Sequence, residues 1–148
     1  MVEGFGDMNF SLVFAAIGSA FGTGIAGMAA VGAWKKAFSQ NKAAPFTLIA
    51  FVGAPLTQTL YGMILRDKII QANLPADPQT YRYLMIIGAV AGIAMGVSAY
   101  MQGKAAARAS DALAETGKGF GQYIMVLGVI ETVALFVMAF CMMALPKG

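Results

Sequence analysis

Apolar and polar stretches alternate along the chain in a regular way. Four apolar stretches approach the roughly 20 residues that a helix needs to cross a bilayer; they are residues 9–33, 46–65, 83–107 and 120–145. Short segments containing Lys, Arg, Pro or Gly separate them. The pattern predicts an all-α membrane protein with four transmembrane helices.

Similar small-residue patterns recur at a spacing of about 74 residues. The matching pairs are Gly18 with Gly92, Gly22 with Gly96, and Ala33 with Ala107. We therefore predict two duplicated helical hairpins, residues 1–75 and 76–148. At this spacing the first hairpin has Leu56 or Thr57 where the second has Glu131, so only the second hairpin carries a carboxylate there.

Glycine and alanine recur every four residues in the first and third predicted helices. Such stripes allow the backbones of two membrane helices to approach closely. The second and fourth helices carry bulkier Phe, Leu and Met side chains. An inner layer of thin helices inside an outer layer of thicker ones suits a homo-oligomeric membrane ring.

The amino-acid composition indicates a membrane protein and excludes several kinds of metal and redox site. Hydrophobic residues make up 59% of the chain and charged residues only 11%, whereas soluble domains are about a quarter charged. The chain has no His, and Cys141 is its one cysteine, so disulfides, haem and ordinary zinc sites have no ligands. We expect Cys141 to be a small core residue.

Basic residues give the expected orientation. Six of the ten Lys and Arg residues lie in segments 34–45 and 104–119, which predicts that these two loops are cytoplasmic and that both termini lie outside the cell membrane. Residues 1–7 carry Glu3 and Asp7 where a secretory signal peptide would carry basic residues, so we expect no such signal.

Glu131 stands alone in the fourth apolar stretch. A charged side chain at the centre of a membrane helix costs roughly 2.5 to 3.5 kcal/mol on insertion scales. A residue retained at that cost is a functional candidate.

The second predicted helix carries a polar face. Ala54, Thr57, Gln58 and Tyr61 stand at i, i+3, i+4 and i+7 and share one side of a helix. Pro55 lacks an N–H and should kink this helix, which leaves nearby carbonyls less well bonded. Such carbonyls are cation ligands in membrane proteins.

Depth can be counted along each hairpin. From a turn at Gly117, Gln102 lies about 15 residues back and Glu131 about 14 residues forward, so both are roughly 21 to 23 Å deep. Gln58 lies about 26 Å from a turn near Asn41. We therefore expect the three side chains to meet within the membrane.

Neutral oxygens around one negative charge fit a small monovalent cation. Calcium would normally gather more oxygens and more than one carboxylate, so sodium is the better candidate. A proton-only carrier would need just Glu131 in an apolar pocket, and this alternative stays open.

The sequence resembles the proteolipid rotor subunits, called K or c, of V-type and A-type rotary ATPases. The matching segments are Ala54-Pro55-Leu56-Thr57-Gln58-Thr59-Leu60-Tyr61-Gly62, Gln102-Gly103-Lys104-Ala105-Ala106 and Glu131-Thr132. In sodium-pumping members the matching positions bind the ion. The resemblance thus implies side-chain ligands at Thr57, Gln58, Gln102 and Glu131, a carbonyl ligand at Ala54, and a steadying hydroxyl at Tyr61. Ala54 departs from the larger aliphatic residue that can occur there.

The resemblance also implies partners. Identical copies form a ring in membrane lipid, with helices 1 and 3 inside. A separate soluble head hydrolyses ATP, so the chain alone is not catalytic. A stator subunit supplies an essential arginine, and a central-stalk subunit meets the cytoplasmic loops. We expect no nucleic-acid partner.

Two other functions fit four helices with one membrane carboxylate. The first is a small cation/proton antiporter, which needs an open aromatic cavity; Phe136 and Phe140 are the aromatics near Glu131 on helix 4. The second is a non-transporting scaffold in which Glu131 only joins helices by hydrogen bonds.

Overall fold

The computed structural model describes residues 6–72 and 74–146, which fold into helices joined by short connections. The helices are α1 Phe10–Ser39, α2 Leu48–Gly53, α3 Thr57–Gln71, α4 Pro78–Thr116 and α5 Phe120–Ala144. A 3₁₀ turn, Ala54–Leu56, joins α2 to α3, and together they make one span. Four spans are therefore long and apolar enough to cross a membrane. This confirms the predicted all-α class with four spans.

The helices run further than the predicted spans. α1 continues to Ser39, into segment 34–45, for which the sequence predicts a loop, and α4 continues to Thr116 through most of segment 104–119. Both loop predictions are therefore too long. Hydropathy marks where lipid-compatible composition ends, but segment 104–116 is rich in alanine, which favours a helix in water as well.

Local sequence fixes both ends of α4. Asp77 is its N-cap: Oδ1 accepts the backbone N–H groups of Gln79 and Thr80 at 2.9 and 3.0 Å, and Pro78 occupies the first turn. The Thr80 hydroxyl donates to Oδ2 at 2.7 Å, and these bonds hold the pKa of Asp77 below its ordinary value. Gly117 ends the helix in the left-handed conformation, with φ 66°.

α1 packs along α4, and the two helices run parallel. We call this contact the α1–α4 seam. A Cβ atom on Gly18 would overlap the backbone of Gly96, and one on Gly103 would overlap that of Gly22. Glycine is therefore required at these positions for the two backbones to touch. The close approach predicted from the small-residue stripes is present.

The register of the seam differs from the spacing of the sequence repeat. The repeat pairs Gly18 with Gly92, whereas Gly18 contacts Gly96 and Gly92 lies against Phe10 and Ser11 of α1. The difference is four residues, about one helical turn. Because glycines recur every four residues here, a slip of one turn leaves the stripe looking the same.

The remaining helices form a second layer. α3 lies against α1, α5 lies against α4, and α3 and α5 meet each other. α5 buries few residues, Leu127 and Ala134, and Cys141 is half-buried against the part of the core that contains Ala134. The rest of α5 presents large apolar side chains outward, which suits lipid or a neighbouring subunit. These are Met125, Val126, Val129, Val133, Phe136, Phe140 and Met143.

Asp7 is fully buried at the start of α1. Its carboxylate accepts the backbone N–H groups of Asn9 and Ser11 at 3.1 and 2.8 Å, and it fills the space that a Cβ atom on Gly88 would need. A carboxylate is stabilised at a helix N-terminus. Asp7 therefore fastens this end of α1 to α4. Glu3, Asn73, Lys147 and the extreme termini lie outside the described residues.

Candidate ion-binding site

The second span supplies one side of the site. Pro55 cannot donate a backbone hydrogen bond, and the span changes here from α-helix to a 3₁₀ turn that ends where the N–H of Thr57 donates to the carbonyl of Ala54. The irregularity predicted at Pro55 is therefore a 3₁₀ turn, and the Ala54 carbonyl, expected to be less well bonded, accepts both the N–H and the hydroxyl of Thr57. This 3₁₀ turn places Thr57 and Gln58 in the first turn of α3.

Glu131 supplies the charge. It lies near the middle of α5, which runs from Phe120 to Ala144, and it is half-buried. The Tyr61 hydroxyl donates to its Oε1 at 2.6 Å. Its Oε2 lies 3.3 Å from Nε2 of Gln102. Both carboxylate oxygens are therefore held by neighbouring helices.

Two buried amides extend the site from the carboxylate toward the second span. Gln58 and Gln102 are both fully buried. Gln58 donates from Nε2 to Oε1 of Gln102 at 2.8 Å, and Gln102 donates from Nε2 to the backbone carbonyl of Leu127 at 2.9 Å. The Leu127 carbonyl thus turns the amide oxygen of Gln102 toward Gln58.

Thr57 connects the amides to the 3₁₀ turn. Its hydroxyl lies 3.1 Å from the carbonyl oxygen of Ala54 and 3.3 Å from Oε1 of Gln58. A hydroxyl has one hydrogen, so it can donate to only one of these acceptors at a time. A continuous set of short contacts therefore runs from the carboxylate to the Ala54 carbonyl.

The arrangement combines one negative charge with neutral oxygens. Within the described residues, 6–72 and 74–146, the ion pairs are Lys36 with Glu115 and Arg66 with Asp67. Neither pair involves Glu131. A carboxylate at membrane depth needs a cation or a proton to become neutral. Hydroxyl, amide and carbonyl oxygens suit a hard cation.

The structure brings all six predicted site residues into one network, and the depth count along each hairpin predicted the meeting of three of them, Gln58, Gln102 and Glu131. The six are Ala54, Thr57, Gln58, Tyr61, Gln102 and Glu131. Two contacts were missed. The Leu127 carbonyl is a backbone group and leaves no mark in a sequence. Ser98 donates to the Ile130 carbonyl at 2.9 Å; its position four residues before Gln102 was the available signal.

Comparisons with known proteins cover most of the chain. Residues 85–144 match the family model that describes the C subunit of ATP synthase. The chain is also 35% identical over 122 residues to the A-type ATP synthase subunit K of Methanocaldococcus jannaschii, an alignment that covers 82% of this chain and 52% of that protein. The chain thus spans about half the length of this curated relative.

The two matches both include the second hairpin, and the longer one also extends into the first. The family match begins and ends within the second hairpin and includes Gln102 and Glu131. The 122 aligned residues exceed the length of either hairpin, so the similarity to the archaeal protein extends into both. Together the two comparisons show that the second hairpin of this four-span membrane protein is similar to the C subunit of ATP synthase and that most of the chain is similar to an A-type ATP synthase subunit K.

Proposed function

We propose that this chain is the rotor-ring subunit of an ATP-driven rotary ion pump and that it carries Na⁺ on Glu131. Similarity to the C subunit of ATP synthase and to an A-type subunit K supports the rotor role. The observation that carries the proposal is the network itself: a lone carboxylate near the middle of α5 is joined through two buried amides to Thr57. In this role the chain hydrolyses no ATP on its own.

The oxygens around Glu131 favour sodium over a proton as cargo. A proton needs one acceptor oxygen, and burying two glutamine side chains for that purpose would add cost without function. For sodium the ligands are the side chains of Thr57, Gln58, Gln102 and Glu131 and the carbonyl of Ala54. Tyr61 is not a ligand and holds Oε1 in place.

Binding of Na⁺ to Glu131 lowers the free-energy cost of moving this carboxylate past lipid. An ionised Glu131 facing hydrocarbon would bear the membrane penalty, whereas the Na⁺–carboxylate pair has no net charge. Each copy of the ring therefore passes lipid only when it is loaded. An arginine of the stator subunit releases the ion by offering Glu131 a competing positive charge.

Two further parts of the proposal concern orientation and direction. The connections after α1 and α4 face the cytoplasm because most Lys and Arg residues lie near them, and there they meet the central stalk. A single carboxylate serves four helices, so few ions cross per turn. Each ion can then be driven against a steeper gradient, which favours a pump over a synthase.

The test is carbodiimide labelling of Glu131 in native membranes that contain the assembled complex. Carbodiimides modify a protonated carboxyl group, so bound Na⁺ should slow the labelling in a saturable, concentration-dependent manner. Potassium at the same ionic strength is the control. If Na⁺ protects no better than K⁺ at any concentration, sodium is not the cargo. If Glu131 is not labelled at all, it is not the carrier.

A further inference from the structure

Ser98 of α4 holds α5 at the residue next to Glu131. The side chain is buried, with 5% of its surface exposed, and its hydroxyl donates to the Ile130 carbonyl at 2.9 Å. A serine inside a helix commonly bonds to a carbonyl in the preceding turn of its own helix. Here the bond crosses to another helix instead.

A second bond of the same kind lies one turn away. Gln102 follows Ser98 by four residues, so both side chains stand on one face of α4. Gln102 donates to the Leu127 carbonyl at 2.9 Å. Two neighbouring side chains of α4 therefore hold two carbonyls in adjacent turns of α5, immediately before Glu131.

Polar bonds matter for α5 because packing holds it weakly. Leu127 and Ala134 are its buried residues, and lipid offers no hydrophobic drive for one membrane helix to pack on another. The contacts of Glu131 nevertheless require a defined rotation and depth. A shift of one residue along an α-helix is about 1.5 Å and 100°, enough to break the 2.6 Å bond from Tyr61.

We infer that Ser98 is a positioning residue for ion binding: its hydroxyl fixes the rotation and depth of α5 and so aims the Glu131 carboxylate at Gln102 and Tyr61. The Ser98 hydroxyl bonds to the backbone carbonyl of Ile130 and not to a side chain of a proposed ligand, which separates its role from theirs. The inference rests on the proposed function only in using ion binding at Glu131 as its readout.

The test compares four variants of the full chain in native membranes: Ser98→Ala, Ser98→Thr, Ser98→Val and Ser110→Ala. Thr and Val have the same shape and only Thr can donate a hydrogen bond, so the pair isolates the hydroxyl. Ser110 is the matched control, because it is also buried on α4 and its hydroxyl has no partner in the described part of the chain.

The readout is the Na⁺ concentration that halves carbodiimide labelling of Glu131. Ser98→Ala should raise it about 3- to 20-fold, the range expected for one hydrogen bond between membrane helices. The half-protecting Na⁺ concentration of Ser98→Val should exceed that of Ser98→Thr by a similar factor. That of Ser110→Ala should equal the wild-type value. Equal values for Ala and wild type, or for Val and Thr, would overturn the inference.

A failure of the sodium proposal is distinguishable from a failure of this one. If Na⁺ gives the wild type no protection, the cargo is wrong, but the labelling rate in sodium-free medium still reports how the carboxylate is held. A faster rate in Ser98→Ala and Ser98→Val, with Ser98→Thr at the wild-type rate, supports the positioning role. Equal rates in all four proteins contradict it.

Discussion

The α1–α4 seam and α5 are stabilised in opposite ways. In the seam, glycines such as Gly18 and Gly96 bring two backbones into contact, and complementary shape defines the fit along most of its length. α5 has few buried residues and is held by hydrogen bonds from Tyr61, Ser98 and Gln102. Both close packing of small residues and interhelical hydrogen bonds stabilise helix contacts in lipid. The comparison shows a rigid scaffold beside a helix whose position depends on polar groups.

The strongest test of the comparison removes the charge from α5. Glu131→Gln should abolish ATP-driven Na⁺ uptake into membrane vesicles, because a neutral amide cannot balance the charge of the cation, while the α1–α4 seam within each subunit should stay intact. Thr132→Ala is the control, since the Thr132 hydroxyl bonds within its own helix at Val129. Normal uptake by Glu131→Gln would show that the carboxylate is structural.

A weaker change keeps the charge and removes neutral oxygens. Replacing Gln58 and Gln102 together with Leu should lower Na⁺ affinity at least about 100-fold, taking about 1.5 kcal/mol for each lost contact to a charged group. The measurement is Na⁺ protection against carbodiimide labelling. Unchanged affinity would make both residues interhelical hydrogen-bonders only.

The seam itself is tested by adding a methyl group. Gly18→Ala should destabilise the fold of each subunit by about 1 to 3 kcal/mol, because its Cβ would overlap the Gly96 backbone. Gly24→Ala on the same helix and Gly128→Ala on α5 should be nearly neutral, since nothing lies within 4 Å of either Cβ position. Thermal unfolding of the purified protein measures this, and equal midpoints for all three variants would break the comparison.

The smallest effect is expected at the end of the seam. Lys36 and Glu115 form an exposed ion pair at 2.8 Å, and exposed pairs contribute at most about 1 kcal/mol. Lys36→Met should therefore lower thermal stability by less than Gly18→Ala does, with Lys35→Met as the control. A larger loss than that of Gly18→Ala would mean that charge, and not shape, holds the seam.

Sequence predicted the site better than it predicted the scaffold. The meeting of Gln58, Gln102 and Glu131 followed from a fixed rise per residue and two turn positions, because errors of a few residues are small against long side chains. The register of the seam was not predictable in this way. A stripe of glycines has the same appearance after a slip of one turn, and only side-chain packing chooses between the alternatives.

The full length of α4 was not predicted from hydropathy, and contacts that depend on packing were not predicted from the sequence. α4 continues to Thr116 because helix formation there does not require lipid, and hydropathy reports only lipid. Asp7 was visible as an acidic residue just before a helix, yet its burial against Gly88 depends on how α1 meets α4. The bond from Ser98 to Ile130 depends on the same packing.

The length of α4 has a mechanical consequence. Its 39 residues span about 58 Å, roughly twice the hydrocarbon thickness of a bilayer, and α1 runs beside it as far as the bridge from Lys36 to Glu115. Two helices in backbone contact resist twisting about their common axis far better than one alone. Torque applied beyond the membrane would reach the depth of Glu131 with little angular lag. Under the proposed rotor function, elastic compliance would then reside in the stalks and not in these paired helices of the ring.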